Sequence, residues 1–414
     1  MAQQTSASRN VSKVFLVGAA GFLSAASIFM LAGGAAWLDG TTYQPIPHIG
    51  FQNSRQYSLC TQTQDKHMTT EDTPSGVKII ILASMRTGSS FVGQMFGQNS
   101  DIFYLFEPGT FLQAALRQRG DIFSQSLYID MLDSLYRCNL TGYEYFSKWL
   151  STLVPASLLQ KAPDMYKLLC SEPDISSKKK VQCGKTTPQH FMQTCMDLKK
   201  VAIKSIRISD IGSLLPLIKD KTINLKVIHL VRDPRGMIAS RVLALNEGKK
   251  TADKLETFTD DTKASLINYC RNNLHNTDVG TNMPKFRDNY LLLRYEDVSL
   301  DPHEAARRIY NFTGLGAVPG NVSRWIQEHT SAHVAGTYST SRVSSQVYQS
   351  WRSRISFPTV KTIEEVGTCS QMMQRFGYLP AKDQEHLTNI KISILSDNVP
   401  DHVKRDIYAY DKPY

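Results

Sequence analysis

Apolar positions in this chain fall in short continuous runs rather than in alternation. Val77–Ala83, Ile102–Phe106, Val201–Ile206, Leu225–Val231 and Tyr290–Leu293 are such runs, rich in β-branched residues and closed by polar or small ones. A run that is apolar on both faces predicts a strand buried in a parallel sheet. The first run breaks off at Arg86-Thr87-Gly88-Ser89-Ser90, and a segment with helical spacing follows to Gly97. The run ending at Val231 does the same, through Arg232-Asp233-Pro234-Arg235-Gly236. Pro234 suits an early helical position, where its missing N–H costs nothing. Asp301-Pro302 through Gly314 reads as a capped helix closed by glycine. Strand, tight turn, helix, repeated, predicts an α/β fold: a P-loop-like parallel sheet with helices on both faces.

The N-terminal pattern is different. Residues 14–37 hold no charged side chain, and this run exceeds the roughly 20 residues that cross a bilayer. Arg9 and Lys13 precede it, and no Lys or Arg follows until Arg55. The positive-inside rule therefore predicts a single-pass type II anchor with the remainder outside the cytosol. A cleaved signal peptide has a shorter apolar core. The expected layout is a cytoplasmic tail at 1–13, a signal anchor at 14–37, a polar stem at 38–75, one large domain at 76–380 and a polar tail at 381–414. The 76–380 body is long enough for a sizeable core.

The two turns carry the chemistry. A strand-to-helix turn points backbone N–H groups and a helix N-terminus at one spot, which makes an anion cradle. Arg86 and the hydroxyls of Thr87, Ser89 and Ser90 add donors suited to phosphate or sulfate oxygens. Ser240 lies about two helical turns beyond Arg232, so both can face one phosphate. The cradle is not a Walker A loop. Gly184-Lys185-Thr186 supplies the second half of that motif, but Lys179 stands where its first glycine belongs.

At these residues the chain resembles the Golgi carbohydrate 6-O-sulfotransferases. Arg86-Thr87-Gly88-Ser89-Ser90-Phe91 is similar to that family's 5′-phosphosulfate loop. Val231 to Arg235, with Ser240, is similar to its 3′-phosphate motif. Phe103-Tyr104-Leu105-Phe106-Glu107-Pro108 is similar to a third signature, found in enzymes that sulfate galactose, N-acetylgalactosamine or N-acetylglucosamine at O6. The resemblance covers roughly residues 77–378 and lies nearest the chondroitin 6- and keratan sulfate branch. It implies sulfonate transfer from 3′-phosphoadenosine 5′-phosphosulfate (PAPS) to a glycan hydroxyl in the Golgi lumen. Chondroitin- or keratan-type chains, or N-acetyllactosamine-type glycans, are the acceptors it implies.

That reaction assigns roles. The leaving phosphate gains charge in the transition state and needs fixed donors. Arg86, Thr87, Gly88, Ser89, Ser90 and Phe91 are expected around the phosphosulfate, with Arg86 catalytic. Arg232 and Ser240 are expected on the 3′-phosphate. Arg342, in Ser341 to Ser345, is expected on a loop over the co-substrate, with Trp351-Arg352 following it. Glu107 is the expected general base. Lys204 and Arg207 are candidates for contact with co-substrate or acceptor, and His190 is a possible base. His229 reads as core, Arg294 to Asp297 as structural, and Arg235 and Arg241 as cofactor-facing or solvent-facing. Gly109-Thr110-Phe111 departs from the family's run after Glu-Pro and is expected to border the sugar. No metal is called for.

Charge and cysteines narrow the classes. The net charge is +10, from 47 Lys and Arg against 37 Asp and Glu. Behind a membrane anchor this suits an anionic donor and an acidic polysaccharide rather than nucleic acid. The seven cysteines show no metal-ligand spacing and suit an oxidising compartment. Cys170 with Cys183 and Cys270 with Cys369 are the expected pairs, and Cys60 in the stem can join two chains. Asn139, Asn311 and Asn321 head lumenal N-glycosylation sequons, whereas Asn10 heads one that faces the cytosol. The alternatives are an N-acetylglucosamine 6-O-sulfotransferase, another lumenal PAPS enzyme, and a non-catalytic glycan-binding protein on the same scaffold.

Overall fold

Each apolar run becomes a strand because it can be buried on both faces. In the computed structural model these are β1 (Val77–Ala83), β2 (Ile102–Phe106), β5 (Lys200–Ser205), β6 (Asn224–Val231) and β7 (Tyr290–Arg294). They form one parallel sheet in the order β2-β5-β1-β6-β7. Two-residue strands β3 (Pro173–Asp174) and β4 (Gln182–Cys183) make a separate antiparallel ribbon. The structure describes residues 76–118, 120, 122–146, 163–169, 173–174, 182–183, 187–245, 259–331 and 344–396. The expected anchor at 14–37, the tail and stem around it, Cys60, Cys170, the Gly184-Lys185-Thr186 segment and Arg342 lie outside them. Among the described residues no helix is long and apolar enough to cross a membrane.

Alternation along β1 feeds two cores. Ile79, Ile81 and Ala83 face α1 (Ser89–Gly97), with α8 (Pro302–Thr313) and α9 (Gly320–Thr330) in the same cluster. Ile80 and Leu82 belong to the other. That larger cluster takes in α2 (Gly109–Gln118), α3 (Gln125–Tyr136), α4 (Pro188–Leu198), α5 (Pro234–Leu245) and α6 (Asp260–Asn282). Later helices α10 (Phe357–Glu365) and α11 (Cys369–Arg375) join it, and α7 (Tyr295–Leu300) follows β7 directly. Helices therefore cover both faces, as the runs require. The helix expected at 301–314 is α8. Asp301 accepts from the Glu304 N–H at its start, and Gly314 closes it at φ 69°.

Strand order places the ligand crevice. From β1 the chain crosses to the outer strand β2 and returns to β5. From β5 it passes over to β6 and then β7 on the other side. The connections reverse direction at β1, so the loops leaving β1 and β6 part at the strands' C-terminal ends. In open parallel sheets that is where ligands bind.

Buried polar groups fasten this end of the sheet. Arg235, expected to face cofactor or solvent, is fully buried. It bonds Asp233 at 2.7 Å, Glu364 at 2.8 Å and the Leu379 carbonyl at 2.9 Å, and lies over the Trp351 ring. Arg294 pairs with Asp297 and donates to the Phe376 carbonyl, so that segment is structural as expected. His229 is core as expected: its ring nitrogens meet Tyr290 and Asn273, and burial lowers its pKa to about 4. Residues 380–396 are not a loose tail. Tyr378 bridges to Leu395, and Leu387 and Ile394 are buried. Arg352, expected near the co-substrate loop, instead caps the carbonyls of His386, Leu387, Asn389 and Ile392. The domain therefore extends to about residue 396. Scattered polar residues hid this, because a few buried aliphatics and one arginine do the fastening.

Cys270–Cys369 forms as expected and ties α6 to α11. Cys138–Cys195, which was not expected, joins the end of α3 to α4. Cys270–Cys369 closes a separation of 99 residues. Replacing both cysteines by alanine is expected to cost about 2–5 kcal/mol in urea unfolding. An unchanged midpoint would show that α6 and α11 need no covalent tie.

Glu296 gives a pH test of the same region. It is buried, accepts from the Asp233 N–H at 3.1 Å, and accepts from the Tyr378 hydroxyl at 2.8 Å. Burial, then the Asp233 charge, pushes its pKa from 4.5 to about 7. In this interval the folded chain binds a proton that the unfolded chain has lost. Stability present below pH 4.5 is therefore lost as pH rises through 7. Compared with wild type, Glu296→Gln is expected to gain relative stability steadily between those values, read as the difference in melting temperature. A constant difference would mean that Glu296 is ionised throughout.

Candidate active site

The loop after β1 is held in a shape that few sequences adopt. Arg86 has φ 72° and Gly88 has φ 85°. A Cβ on Gly88 would lie 2.3 Å from the Tyr295 ring, so glycine is needed for both conformation and space. Thr87 is fully buried and donates its hydroxyl to the Ser84 carbonyl at 2.8 Å. It closes the loop rather than offering that hydroxyl to a ligand. The first bond into α1 is Phe91 N–H to the Gly88 carbonyl at 2.9 Å. The N–H groups of Gly88, Ser89 and Ser90 precede it and form the open N-terminus of the helix. Phe91, expected around the phosphosulfate, turns its ring to Trp325 at 5.3 Å. Its N–H is spent inside the turn, so Phe91 packs the loop against α9.

The second motif comes to the same place. Arg86 Nε donates to Ser240 Oγ at 3.0 Å. Arg232 Nη1 donates to the Arg86 carbonyl at 2.8 Å. The Arg232 guanidinium lies over the Tyr295 ring, 4.3 Å from its centroid. Tyr295 thus supports both loops: its ring bounds Gly88 and carries Arg232. Arg241, the other side chain of uncertain direction, reaches back to the Met85 carbonyl at 3.3 Å and to Ser265. Arg86, Ser240 and Arg232 are more than 140 residues apart along the chain at their widest, yet they share one crevice at the switch point.

Glu107 sits at the C-terminal end of β2, two strands from β1. Its φ is 48°, and Arg86 and Glu107 are two of the four non-glycine residues with positive φ among the described residues. Such a conformation costs energy and tends to persist where function holds it. Its N–H donates to the Lys204 carbonyl at 2.9 Å, continuing the ladder between β2 and β5. Its carboxylate is gripped by two cations. Lys204 Nζ contacts Oε1, and Arg207 Nη1 contacts Oε2 at 2.9 Å. Burial alone would raise its pKa, but Lys204 and Arg207 outweigh this and hold it below the ordinary carboxylate value. Lys204 is pushed down by burial and pulled up by Glu107, and Arg207 and Arg86 push it further down. In the sheet Lys204 stands opposite Ile81 of β1, which puts the Glu107 cluster one strand from the end of β1.

Lys204 and Arg207 carried only a weak signal in the sequence. A lysine inside an apolar run was the clue for Lys204, since a buried amine needs a partner. Arg207 is further fixed by Gln113, whose Oε1 accepts from its Nε at 3.2 Å and Nη2 at 3.1 Å. Gly109 leaves room for this side chain and for Tyr128. Phe111, expected to border the sugar, is core instead and packs on Phe146 at 5.6 Å. His190 lies on α4 and bonds the Leu168 carbonyl at 2.8 Å.

The crevice therefore joins an open helix N-terminus, four cations (Arg86, Arg232, Lys204, Arg207) and one ionised carboxylate. It can hold an anion at two adjoining points and set a carboxylate near the first. Comparison with known proteins agrees. The chain matches the Sulfotransferase domain family over residues 77–377. It is 32% identical over 339 residues to carbohydrate sulfotransferase 3 of Tetronarce californica, covering 77% of this chain and 76% of that protein. Against carbohydrate sulfotransferase 3 of Mus musculus the identity is 33% over 342 residues, covering 77% and 71%. Against carbohydrate sulfotransferase 1 of Danio rerio it is 32% over 352 residues, covering 77% and 82%. Crevice geometry and sequence relatives converge: the chain belongs to the PAPS-dependent carbohydrate sulfotransferases, enzymes that move sulfonate to a sugar.

Proposed function

We propose that this enzyme transfers sulfonate to the 6-hydroxyl of N-acetylgalactosamine or galactose in a glycosaminoglycan or glycoprotein glycan. The observation that carries the reading is the contact of Arg86 with Ser240 at 3.0 Å, beside the Glu107–Lys204 pair. It brings a 5′-type and a 3′-type anion loop into one crevice with a carboxylate at its side. PAPS supplies an activated sulfonate whose leaving group is a phosphate. Gly88, Ser89 and Ser90 offer backbone N–H groups to that end, and Arg86 a permanently charged fork. Arg232 and Ser240 lie where a second phosphate is read. The N-acetylglucosamine branch is the competing acceptor class.

Glu107 is the base in this reading, and its two cations set the terms. As it stands it is ionised but weakly basic, because Lys204 and Arg207 share its charge. Lys204 is held on Glu107 and stands on β5, the strand next to β1. Turning its amine toward the β1 loop adds charge where the leaving group develops it. The same turn leaves Glu107 more basic toward an acceptor hydroxyl. Arg207, clamped by Gln113, keeps the carboxylate aimed meanwhile.

The same reading puts the enzyme in the Golgi membrane as a type II protein. What supports it is the uncharged run at 14–37, the flanking Arg9 and Lys13, and the disulfides of the domain. Cys60 is positioned in the stem to link two copies.

A secreted fragment, residues 39–414, given labelled PAPS tests the reading. Chondroitin, desulfated keratan sulfate and an N-acetylglucosamine-terminated oligosaccharide are the acceptors. Label at O6 of N-acetylgalactosamine or galactose is expected. Arg86→Ala should lower kcat by about 10²–10³-fold, and Glu107→Gln by about 10²–10⁴-fold. Lys204→Met should lower kcat and move the acid limb of the pH–rate profile upward, because Glu107 loses its stronger partner. Label only on N-acetylglucosamine would assign the other branch. Full activity in Glu107→Gln would remove Glu107 as base.

A further inference from the structure

The three lumenal sequons lie far apart in sequence but on one edge of the domain. Arg137, two residues before Asn139, bonds Asp220 and, at 3.0 Å, Thr222, in the turn that enters β6. Asn311 follows Tyr310, whose hydroxyl donates to the Met95 carbonyl near the end of α1. Asn321 donates its Nδ2 to the Gln98 carbonyl, just past α1. All three places are at the N-terminal ends of the parallel strands. The crevice is at the opposite ends. Val77, where the chain enters β1, is on the same edge as the sequons.

Local structure separates the three. Asn311 sits in the last turn of α8, and the Thr313 hydroxyl is buried and turned back to the Ile309 carbonyl at 2.7 Å. Asn321 is in the first turn of α9, with its amide nitrogen engaged by Gln98. Asn139 is in neither helix. It is exposed in the turn after α3, and its Oδ1 accepts from the Thr141 N–H at 2.9 Å and the Thr141 hydroxyl at 2.7 Å. This Asx turn sets the Thr141 hydroxyl against the side-chain amide oxygen of Asn139. The turn is anchored by Cys138–Cys195 immediately before it.

We propose that Asn139 carries an N-linked glycan, on the edge of the domain opposite the crevice. This rests on the lumenal placement proposed above. The donor is a lipid pyrophosphate-linked oligosaccharide. A bond forms from Asn139 Nδ2 to C1 of the first sugar. The bond from C1 to the pyrophosphate oxygen breaks, the pyrophosphate leaves with its electron pair, and the amide gives up one proton. Helix formation withdraws Thr313 and engages Asn321, so those sequons are modified only if transfer outruns folding. The Asn139 turn keeps its hydroxyl and amide presented in the folded chain. A glycan there leaves the crevice open to a polymeric acceptor.

The full chain, expressed in a eukaryotic secretory line, tests this by glycopeptide mass spectrometry before and after enzymatic deglycosylation. A glycan on Asn139, with Asn10 bare, is the expected result. Asn139→Gln and Thr141→Ala should each remove the same single step of gel mobility, and both should retain wild-type transfer kinetics. A bare Asn139 with Asn311 or Asn321 occupied would overturn the proposal and leave the lumenal placement standing. Occupancy of Asn10 alone would overturn both, and occupancy of no sequon would overturn the proposal. A loss of transfer in both variants, with unchanged melting temperature, would overturn the placement of Asn139 away from the crevice.

Discussion

The hydrogen bond between Arg86 and Ser240 depends on everything around it being in register. Arg86 is in the loop after β1, and Ser240 is on the helix after β6. Parallel pairing of β1 with β6, Ala83 opposite Leu230, brings the two loops level. The Arg232 side chain then crosses to the Arg86 carbonyl, and the Tyr295 ring fills the space beneath both. A one-residue slip in a strand pair would turn every side chain to the other face. Both cores and both anion loops therefore share a single constraint, the register of the central strand.

A second constraint is electrostatic. Four cations beside one carboxylate repel one another, and a low-dielectric crevice magnifies this. The fold answers by giving two of them one carboxylate. Lys204 and Arg207 share Glu107, and Arg207 also has Gln113. Arg86 bonds the Ser240 hydroxyl, and Arg232 bonds the Arg86 carbonyl and lies over the Tyr295 ring. Cations at the β1 and β6 loops and a carboxylate at the end of β2 are in place before any ligand arrives, which is the condition for electrostatic catalysis.

The strands were legible because a parallel sheet needs runs that are apolar on both faces, and each of the five was visible. The anion loops were legible because small residues and arginines follow those runs directly. What escaped notice has physical causes. Arg235 looked like a third arginine of an exposed motif, and only its partners Glu364 and Leu379, more than 120 residues away, show why it is buried. Phe111 and Phe91 sit in functional motifs, but an aromatic ring beside a site is as readily a wall of the core. Cys138–Cys195 followed from no spacing, since disulfide connectivity is set by where α3 and α4 pack. The clamp on Glu107 joins residues 97 and 100 positions apart, and a sequence read strand by strand gives no hint of that meeting.

The C-terminal segment shows how distant residues reach the crevice without touching a ligand. Asp233 follows Arg232 directly and is bound on its carboxylate by Arg235 and on its N–H by Glu296. Arg235 reaches Glu364 on α10 and the carbonyl of Leu379, and Glu296 reaches Tyr378. Trp351 closes against Gly236, where a Cβ would come within 2.8 Å of its ring. Arg352, the next residue, pins the carbonyls of residues 386 to 392. Residues 351–396 therefore act as a brace behind the β6 loop. That loop carries Arg232 and leads into the helix of Ser240, so the brace supports the placement of both. Residues 351–396 belong to the enzyme's machinery by position, although none of their side chains needs to meet the sugar.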